Sequence, residues 1–186
     1  GINPETCGKF GNRWKLTGLT GVQKIGDGFH HTRINNHSPP EAFAESELDF
    51  RSVSPQNSII ATKAIDFWAF GKMLFEALVG EDLIKISSNN LHSNESASNI
   101  LYSWNSANIR RVADYLMNIG IGTLGIELIS RCLCPNPNDR PQSMEEILAH
   151  PFWKSVKHTS PKEQPSQVQN SAIKSEDIPE TRRFEC

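Results

Sequence analysis

The feature that most constrains this chain is the apolar stretch of residues 62–79. Its apolar side chains recur at helical spacing and cover most of the circumference of an α-helix. Such a helix is buried in a folded protein, because none of its faces is suited to contact with water. Gly80 follows the stretch as a C-terminal stop signal. The sequence therefore predicts a helix from about Thr62 to Val79 that forms the central pillar of a helical core.

Other segments show the same periodicity over shorter lengths, and one of them begins with a recognisable cap. Ser143 and Glu146 have the spacing of a capping box, in which each side chain caps the backbone of the other residue. Residues 86–99 are rich in serine and asparagine and are predicted to form a loop. Further helices are predicted at about 41–47, 105–117, 123–133 and 143–150.

Two short strands are predicted near the N-terminus, at residues 13–17 and 22–25. Gly18 and Gly21 lie between them, and the turn signal Gly11-Asn12 precedes the first. We expect these strands to form a small β-hairpin beside the helices. The fold class is therefore mainly α with one small hairpin.

The composition changes at about residue 155. The segment 155–186 interleaves lysine, glutamate, serine, glutamine and proline and contains few apolar residues. Such a segment cannot bury enough apolar surface to offset the entropy lost on ordering, so we expect a disordered tail. Residues 1–154 are long enough for one domain with a substantial core.

The bulk properties exclude several classes of protein. The net charge of −2 gives no indication of binding to nucleic acid or to an anionic membrane. No apolar run approaches the roughly 20 residues that span a bilayer, and the first residues do not resemble a signal peptide. Cys7, Cys132, Cys134 and Cys186 lack the spacing of a metal site. We expect free thiols, no bound metal and a cytoplasmic location.

The helix 62–79 contains the run Asp66-Phe67-Trp68-Ala69-Phe70-Gly71, and Asn-Asp-Arg-Pro follows at a distance, ending in Arg140-Pro141. This combination resembles the C-terminal lobe (C-lobe) of eukaryotic protein kinases of the Ser/Thr type. The resemblance covers nearly all of residues 1–154 and implies the helical bundle of that lobe.

The resemblance also implies structural roles for five residues. Pro39-Pro40-Glu41 is similar to the Ala-Pro-Glu that closes the family's activation segment, and Arg140 to the arginine that pairs with that glutamate. Asp66 would tie the buried helix to the backbone of the catalytic loop. Trp68 and Gly71 match the motif around that aspartate. A bidentate Arg140–Glu41 pair is physically reasonable, because a planar guanidinium satisfies both carboxylate oxygens.

The catalytic positions depart from the family pattern. The family string Asp-Leu-Lys-Pro-Glu-Asn aligns with residues 1–6, which places Gly1 at the catalytic base, Asn3 at the lysine and Thr6 at the metal-binding asparagine. Gly18 stands at the aspartate of Asp-Phe-Gly. The family uses ATP and Mg²⁺, and phosphoryl transfer depends on such positioned charges. We therefore expect no catalytic, cofactor-binding or metal-binding residues in this chain.

Three functions remain open. The first is a pseudokinase-like interaction or regulatory module that binds a protein partner or a missing N-lobe, and this chain alone is predicted to be inactive. The second is a fragment of an active Ser/Thr protein kinase, with ATP-dependent phosphotransfer, whose N-lobe and catalytic loop lie outside this chain. The third is an unrelated helical binding domain, which predicts no buried contact between Glu41 and Arg140.

Overall fold

The chain folds mainly into helices that pack around one central helix. The computed structural model describes residues 2–18, 22–29, 36–44, 59–87 and 97–155. The mainly helical fold with a small N-terminal hairpin is confirmed. The predicted disorder of the C-terminal tail falls, apart from Ser155, on residues outside the described ranges.

The elements follow one another from a short hairpin to a series of helices. Single 3₁₀ turns lie at Pro4–Thr6 and Pro137–Asp139. The strands are β1 (Cys7–Phe10), β2 (Arg13–Leu16), β3 (Gly28–Phe29) and β4 (Ile59–Ile60). The helices are α1 (Pro40–Ala44), α2 (Lys63–Val79), α3 (Leu83–Ser87), α4 (Ala97–Tyr102), α5 (Ser106–Asn118), α6 (Thr123–Cys132), α7 (Met144–Ala149) and α8 (Phe152–Ser155).

The predicted central helix is confirmed as α2. It begins after Thr62, which has the extended backbone of an N-cap residue, and it ends at Gly80, whose φ of 77° is left-handed. Trp68 and Phe75 are fully buried, as expected for a helix that is apolar nearly all round. Lys72 on the same helix is fully buried as well, which the apolar pattern does not predict.

The core has two parts, which lie on different sides of α2. The larger cluster surrounds Trp68 and Phe75 and takes in apolar residues of α1, α3, α4, α5 and α6. The smaller cluster surrounds Phe67 and joins α2 to α6, α7 and α8 through Leu128, Ile147 and Phe152. The helices predicted at 105–117 and 123–133 are confirmed as α5 and α6, with boundaries within one residue.

The two strands that form the hairpin are not the two that were predicted. The strand at 13–17 is confirmed as β2, but its partner is β1, at residues 7–10, and residues 22–25 form no strand. The turn decides this pairing. Gly11 has a φ of 60°, and Gly11-Asn12 forms the two-residue loop that connects paired antiparallel strands.

The predicted loop at 86–99 is wrong at both ends. Helix α3 extends to Ser87 and helix α4 begins at Ala97, while residues 88–96 lie outside the described ranges. Leu83 and Leu101 are fully buried in the larger cluster. Burial of Leu83 and Leu101 outweighs the low helix propensity of the serines and asparagines near them in the sequence.

Two smaller predictions need adjustment. Ser143 Oγ accepts the N–H of Glu146, as predicted for a capping box, but the Glu146 carboxylate accepts the N–H of Gln142 instead of that of Ser143. Its second oxygen accepts from Arg131. The helix predicted at 41–47 is described as Pro40–Ala44, and its remaining residues lie outside the described ranges.

Candidate functional site

Arg140 is the centre of the densest polar network among the described residues. Its side chain is fully buried, and its Nη1 and Nη2 donate to the two carboxylate oxygens of Glu41 at 2.7 and 2.8 Å. Nε donates to Cys134 O at 2.8 Å, Nη1 to Ala64 O at 3.1 Å and Nη2 to Pro135 O at 3.3 Å. A guanidinium has five N–H groups, and each has a partner here.

This network joins three separate segments of the chain. Glu41 lies on α1, Ala64 in the first turn of α2, and Cys134 and Pro135 after α6. The predicted contact between Glu41 and Arg140 is therefore present, and it ties α1 to the core. The hypothesis of an unrelated helical domain expected no such contact.

Trp68 completes the network on its apolar side. The Arg140 guanidinium carbon lies 5.1 Å from the centroid of the Trp68 ring, a cation–π distance. Trp68 also packs edge-on against Trp104, with centroids 5.1 Å apart. Trp104 Nε1 donates to Leu133 O at 3.1 Å, which fixes that ring against the residue that follows α6. The buried arginine is thus held by apolar as well as polar contacts.

Gly71 allows α2 and α6 to approach each other closely. A Cβ atom at this position would lie 2.4 Å from Cβ of Cys132, a distance that forces the helices apart. Cys132 is fully buried, and burial raises the pKa of its thiol to about 12, so the thiol is protonated and unreactive. The close approach of α2 and α6 therefore favours glycine at position 71.

Asp66 has a less defined role. Asp66 is exposed to solvent, yet neighbouring atoms partly desolvate its carboxyl group and thereby raise its pKa. No hydrogen bond joins this carboxyl to another residue in the part of the chain that the structure describes. The expected tie to the catalytic-loop backbone stays a prediction, and Gly1 at the start of that loop lies outside the described residues.

The side chains of Asn3 and Thr6 are engaged with each other. Asn3 Oδ1 accepts the Thr6 N–H at 3.0 Å, while Thr6 Oγ1 accepts the Asn3 N–H at 3.0 Å and donates to Asn3 O at 2.8 Å. These contacts form a reciprocal cap on the 3₁₀ turn Pro4–Thr6. Both side chains therefore serve the local backbone.

Thr6 and Gly18 lie side by side. The N–H of Thr17 donates to Thr6 O at 2.7 Å, and a Cβ atom at Gly18 would lie 2.7 Å from Cγ2 of Thr6. The fold thus brings together two positions that the sequence analysis placed around the family's metal ion. The Thr6 methyl group fills the space that a side chain at residue 18 would need.

A second charged cluster was not predicted. Lys72 Nζ donates to Asn36 O at 2.8 Å, and it lies 3.2 Å from Glu76 Oε1 and 3.7 Å from Asp82 Oδ1. The i, i+4 spacing of Lys72 and Glu76 was the one available sequence signal. Burial of Lys72 depends on the tertiary fold, and the i, i+4 spacing by itself is typical of an ordinary surface pair.

Comparisons with known proteins give partial matches. A TBC domain-containing protein kinase-like protein of Dictyostelium discoideum is 49% identical over 49 residues, which are 24% of this chain and 5% of that protein. Mouse ribosomal protein S6 kinase alpha-4 is 29% identical over 98 residues, 50% of this chain and 11% of that protein. The serine/threonine-protein kinase ksg1 of Schizosaccharomyces pombe is 27% identical over 150 residues, 78% of this chain and 23% of that protein.

These similarities support a protein-kinase-like relationship. The chain spans less than a quarter of the length of each of these relatives. No protein-family model matches the chain, and no solved structure matches it.

Thr6 and Gly18, the described residues at the positions that the resemblance assigns to metal binding, offer no carboxylate to Mg²⁺. Magnesium prefers carboxylate oxygens and near-ideal octahedral geometry. Gly18 has no side chain, and the Oδ1 of Asn3 and the Oγ1 of Thr6 are already engaged in the local cap. Across the described ranges, no group of three or more His, Cys, Asp or Glu side chains is arranged to hold a metal ion.

The structure bears on the membrane prediction only through the helices that it describes. None of them is both long enough and apolar enough to cross a bilayer.

Proposed function

We propose that this chain is a protein-kinase-like module that transfers no phosphate itself and acts by binding a protein partner or an N-lobe supplied from outside this chain. The observation that carries the proposal is the pair Thr6 and Gly18. They lie together where the resemblance places the metal-binding groups, and neither offers a carboxylate.

The retained scaffold supports this proposal. A buried arginine with five hydrogen bonds and a stacked tryptophan holds α1 against α2 and the segment after α6. Breaking such a pair strands a buried charge, so the network favours one arrangement of these elements. A fixed arrangement is what a binding surface needs, whether or not any chemistry takes place on it.

The chemistry of phosphoryl transfer supports the proposed inactivity. Catalysis of this reaction is almost entirely positioning and neutralisation of charge on the phosphate oxygens. The resemblance puts Gly1, Asn3, Thr6 and Gly18 at the positions that would supply those charges, and none of these residues is ionisable through its side chain. A kinase-like site with these residues lacks the carboxylates and the lysine with which the family orients the nucleophile, holds the metal and steadies the phosphate.

The alternative is an active Ser/Thr kinase whose catalytic loop lies outside this chain. The names of two relatives, ribosomal protein S6 kinase alpha-4 and the serine/threonine-protein kinase ksg1, favour it. The coding sequence before Gly1 separates the two functions. A His-Arg-Asp-like run that ends directly before Gly1 would shift the alignment and favour the active kinase.

An ATP-turnover assay on the natural full-length product tests the proposal. We expect that Asn3→Ala and Thr6→Ala leave any turnover unchanged, because their side chains cap a local turn. Lys9→Ala, at an exposed position on β1, is the matched control. Turnover that is abolished by Thr6→Ala but kept in Lys9→Ala would contradict the proposal.

A further inference from the structure

The strand β2 is exposed along its whole length. All four of its residues, Arg13, Trp14, Lys15 and Leu16, are exposed, and Trp14 and Leu16 retain 71% and 47% of their accessible surface. Single exposed apolar residues are common on proteins, but two on one short strand are a feature that needs an explanation.

The outer edge of β2 has backbone hydrogen-bonding groups that no described residue pairs with. In an antiparallel pair, residues alternate between those that bond to the partner strand and those that point away from it. The bond from Thr17 N–H to Thr6 O fixes this alternation. With the register Gly8 to Lys15 and Cys7 to Leu16, the amides of Lys15 face β1, and those of Trp14 and Leu16 face outward.

No third strand covers this edge within the described residues, where β1 and β2 form a two-stranded sheet. Free edges of this kind pair with extended segments of other chains. The N–H and C=O groups of Trp14 and Leu16 are therefore available for strand addition.

The side chains of β2 specify the chemistry of an added strand. Successive residues point to opposite faces, so Arg13 and Lys15 share one face while Trp14 and Leu16 share the other. On β1, Lys9 lies opposite Trp14, and Phe10 lies opposite Arg13 with Lys15 Nζ 5.7 Å from its ring centroid. Neither hairpin strand contains an acidic residue. A strand beside β2 would contact the two cations of β2 on one face and its two apolar side chains on the other, and cross-strand pairs of opposite charge are favourable.

We propose that the outer edge of β2 binds an extended segment of a protein partner in which acidic and apolar residues alternate. This inference rests on the proposed role as an interaction module and names the chemistry of its partner. The alternation argues against a membrane, because a bilayer surface would contact one face of the sheet and leave the other in water. Charges on an edge strand often serve only to prevent aggregation. The apolar Trp14 and Leu16 would favour aggregation, so prevention of aggregation alone does not explain the composition of β2.

Binding of a synthetic peptide that alternates glutamate with valine tests the proposal on the complete 186-residue chain. The fluorescence of Trp14, isolated by comparison with Trp14→Phe, reports binding at up to about 1 mM peptide. Hydrogen exchange at the Trp14 and Leu16 amides reports the backbone contact. We expect saturable binding, slower exchange at both amides and weaker binding at high salt, because the charges are exposed.

Two sets of variants separate the side-chain and backbone contributions. The double variant Arg13→Glu with Lys15→Glu should bind the peptide about tenfold more weakly and should instead prefer a lysine–valine peptide. Leu16→Pro removes an outward N–H without removing a hairpin bond and should abolish binding. Leu16→Val, which keeps that N–H, is the matched control. An unchanged thermal transition shows that each variant remains folded.

Several results would overturn the proposal. They are equal binding of the glutamate–valine and lysine–valine peptides, binding that is unaffected by Leu16→Pro, and binding of phosphatidylserine vesicles without binding of the peptide. If the Arg13→Glu, Lys15→Glu variant differed from the parent chain only in self-association and not in peptide binding, the charges of β2 would serve to prevent aggregation and the proposal would be wrong. None of these results bears on phosphotransfer, so failure here leaves the ATP-turnover assay as an independent test.

Discussion

Replacement of Glu41 by glutamine should strongly destabilise the fold. The change leaves the fully buried Arg140 guanidinium without its counter-charge. We expect the free energy of unfolding to fall by about 3 kcal/mol, the lower end for a buried pair, because 27% of the Glu41 side chain is exposed. Urea unfolding measures the change. Asp114→Asn removes an exposed carboxylate of α5 and should have an effect below about 0.5 kcal/mol.

Arg140→Lys should be nearly as damaging as Glu41→Gln. Lysine keeps the positive charge but cannot form the bidentate pair or reach all the carbonyl partners that the guanidinium binds. If Arg140→Lys had the stability of the parent chain in the same urea experiment, the network would contribute charge alone and our account of its geometry would be wrong.

Gly71→Ala should destabilise the contact between α2 and α6. The new methyl group would overlap Cβ of Cys132, and overpacking of this kind costs about 1–3 kcal/mol. Gly122→Ala is the control, because no atom beyond its chain neighbours lies within 4 Å of the place its methyl group would take, and its φ is −67°. Equal stability of the two variants in thermal unfolding would show that α6 shifts at no cost.

At the scale of elements, Lys72 anchors the segment 36–44 to α2. Lys72→Met removes the donor to Asn36 O and leaves Glu76 and Asp82 without a shared cation. We expect faster hydrogen exchange in residues 36–44, with little change in α5 and α6. Lys63→Met, at an exposed position on the same helix, is the matched control. Equal exchange in both variants would contradict the anchoring role.

His37 should make the attachment of this segment dependent on pH. Burial and the charge of Lys72 lower its pKa from 6.5, while Glu76, Asp82 and Glu5 partly oppose that shift. The folded state thus binds the proton less readily than the unfolded state. Its contribution to stability is present above pH 6.5 and is lost as the pH falls through the lowered pKa. Unfolding midpoints between pH 7 and pH 5 should fall more in the parent chain than in His37→Gln, and parallel curves would contradict this role.

The elements also show what local patterns can predict. The limits of α2, α5 and α6 follow from apolar spacing within each segment, which needs no knowledge of the rest of the fold. The partner of β2 was missed because register depends on the turn, and Gly11-Asn12 was recognised as a turn but not as the closing loop of β1 and β2. The residue pattern within each strand does not specify that β1 pairs with β2.

In the candidate site, too, some contacts could be predicted from the sequence and others could not. Glu41 and Arg140 are 99 residues apart, and their contact was predicted through a resemblance and not through any local pattern. The same resemblance placed Thr6 and Gly18 near each other, and the structure finds them adjacent. Burial of Lys72 had no such guide, because its partners Asn36 and Asp82 lie on other segments of the chain.

At the scale of the whole molecule, our central proposal is that this kinase-like chain does not bind Mg²⁺ and ATP. A ligand that binds the folded state must raise the unfolding midpoint in proportion to the logarithm of its concentration. Thermal unfolding of the 186-residue chain over a series of MgATP concentrations therefore tests the claim directly. We predict one cooperative transition whose midpoint is the same at every MgATP concentration, and a midpoint that rises with the MgATP concentration would contradict the claim.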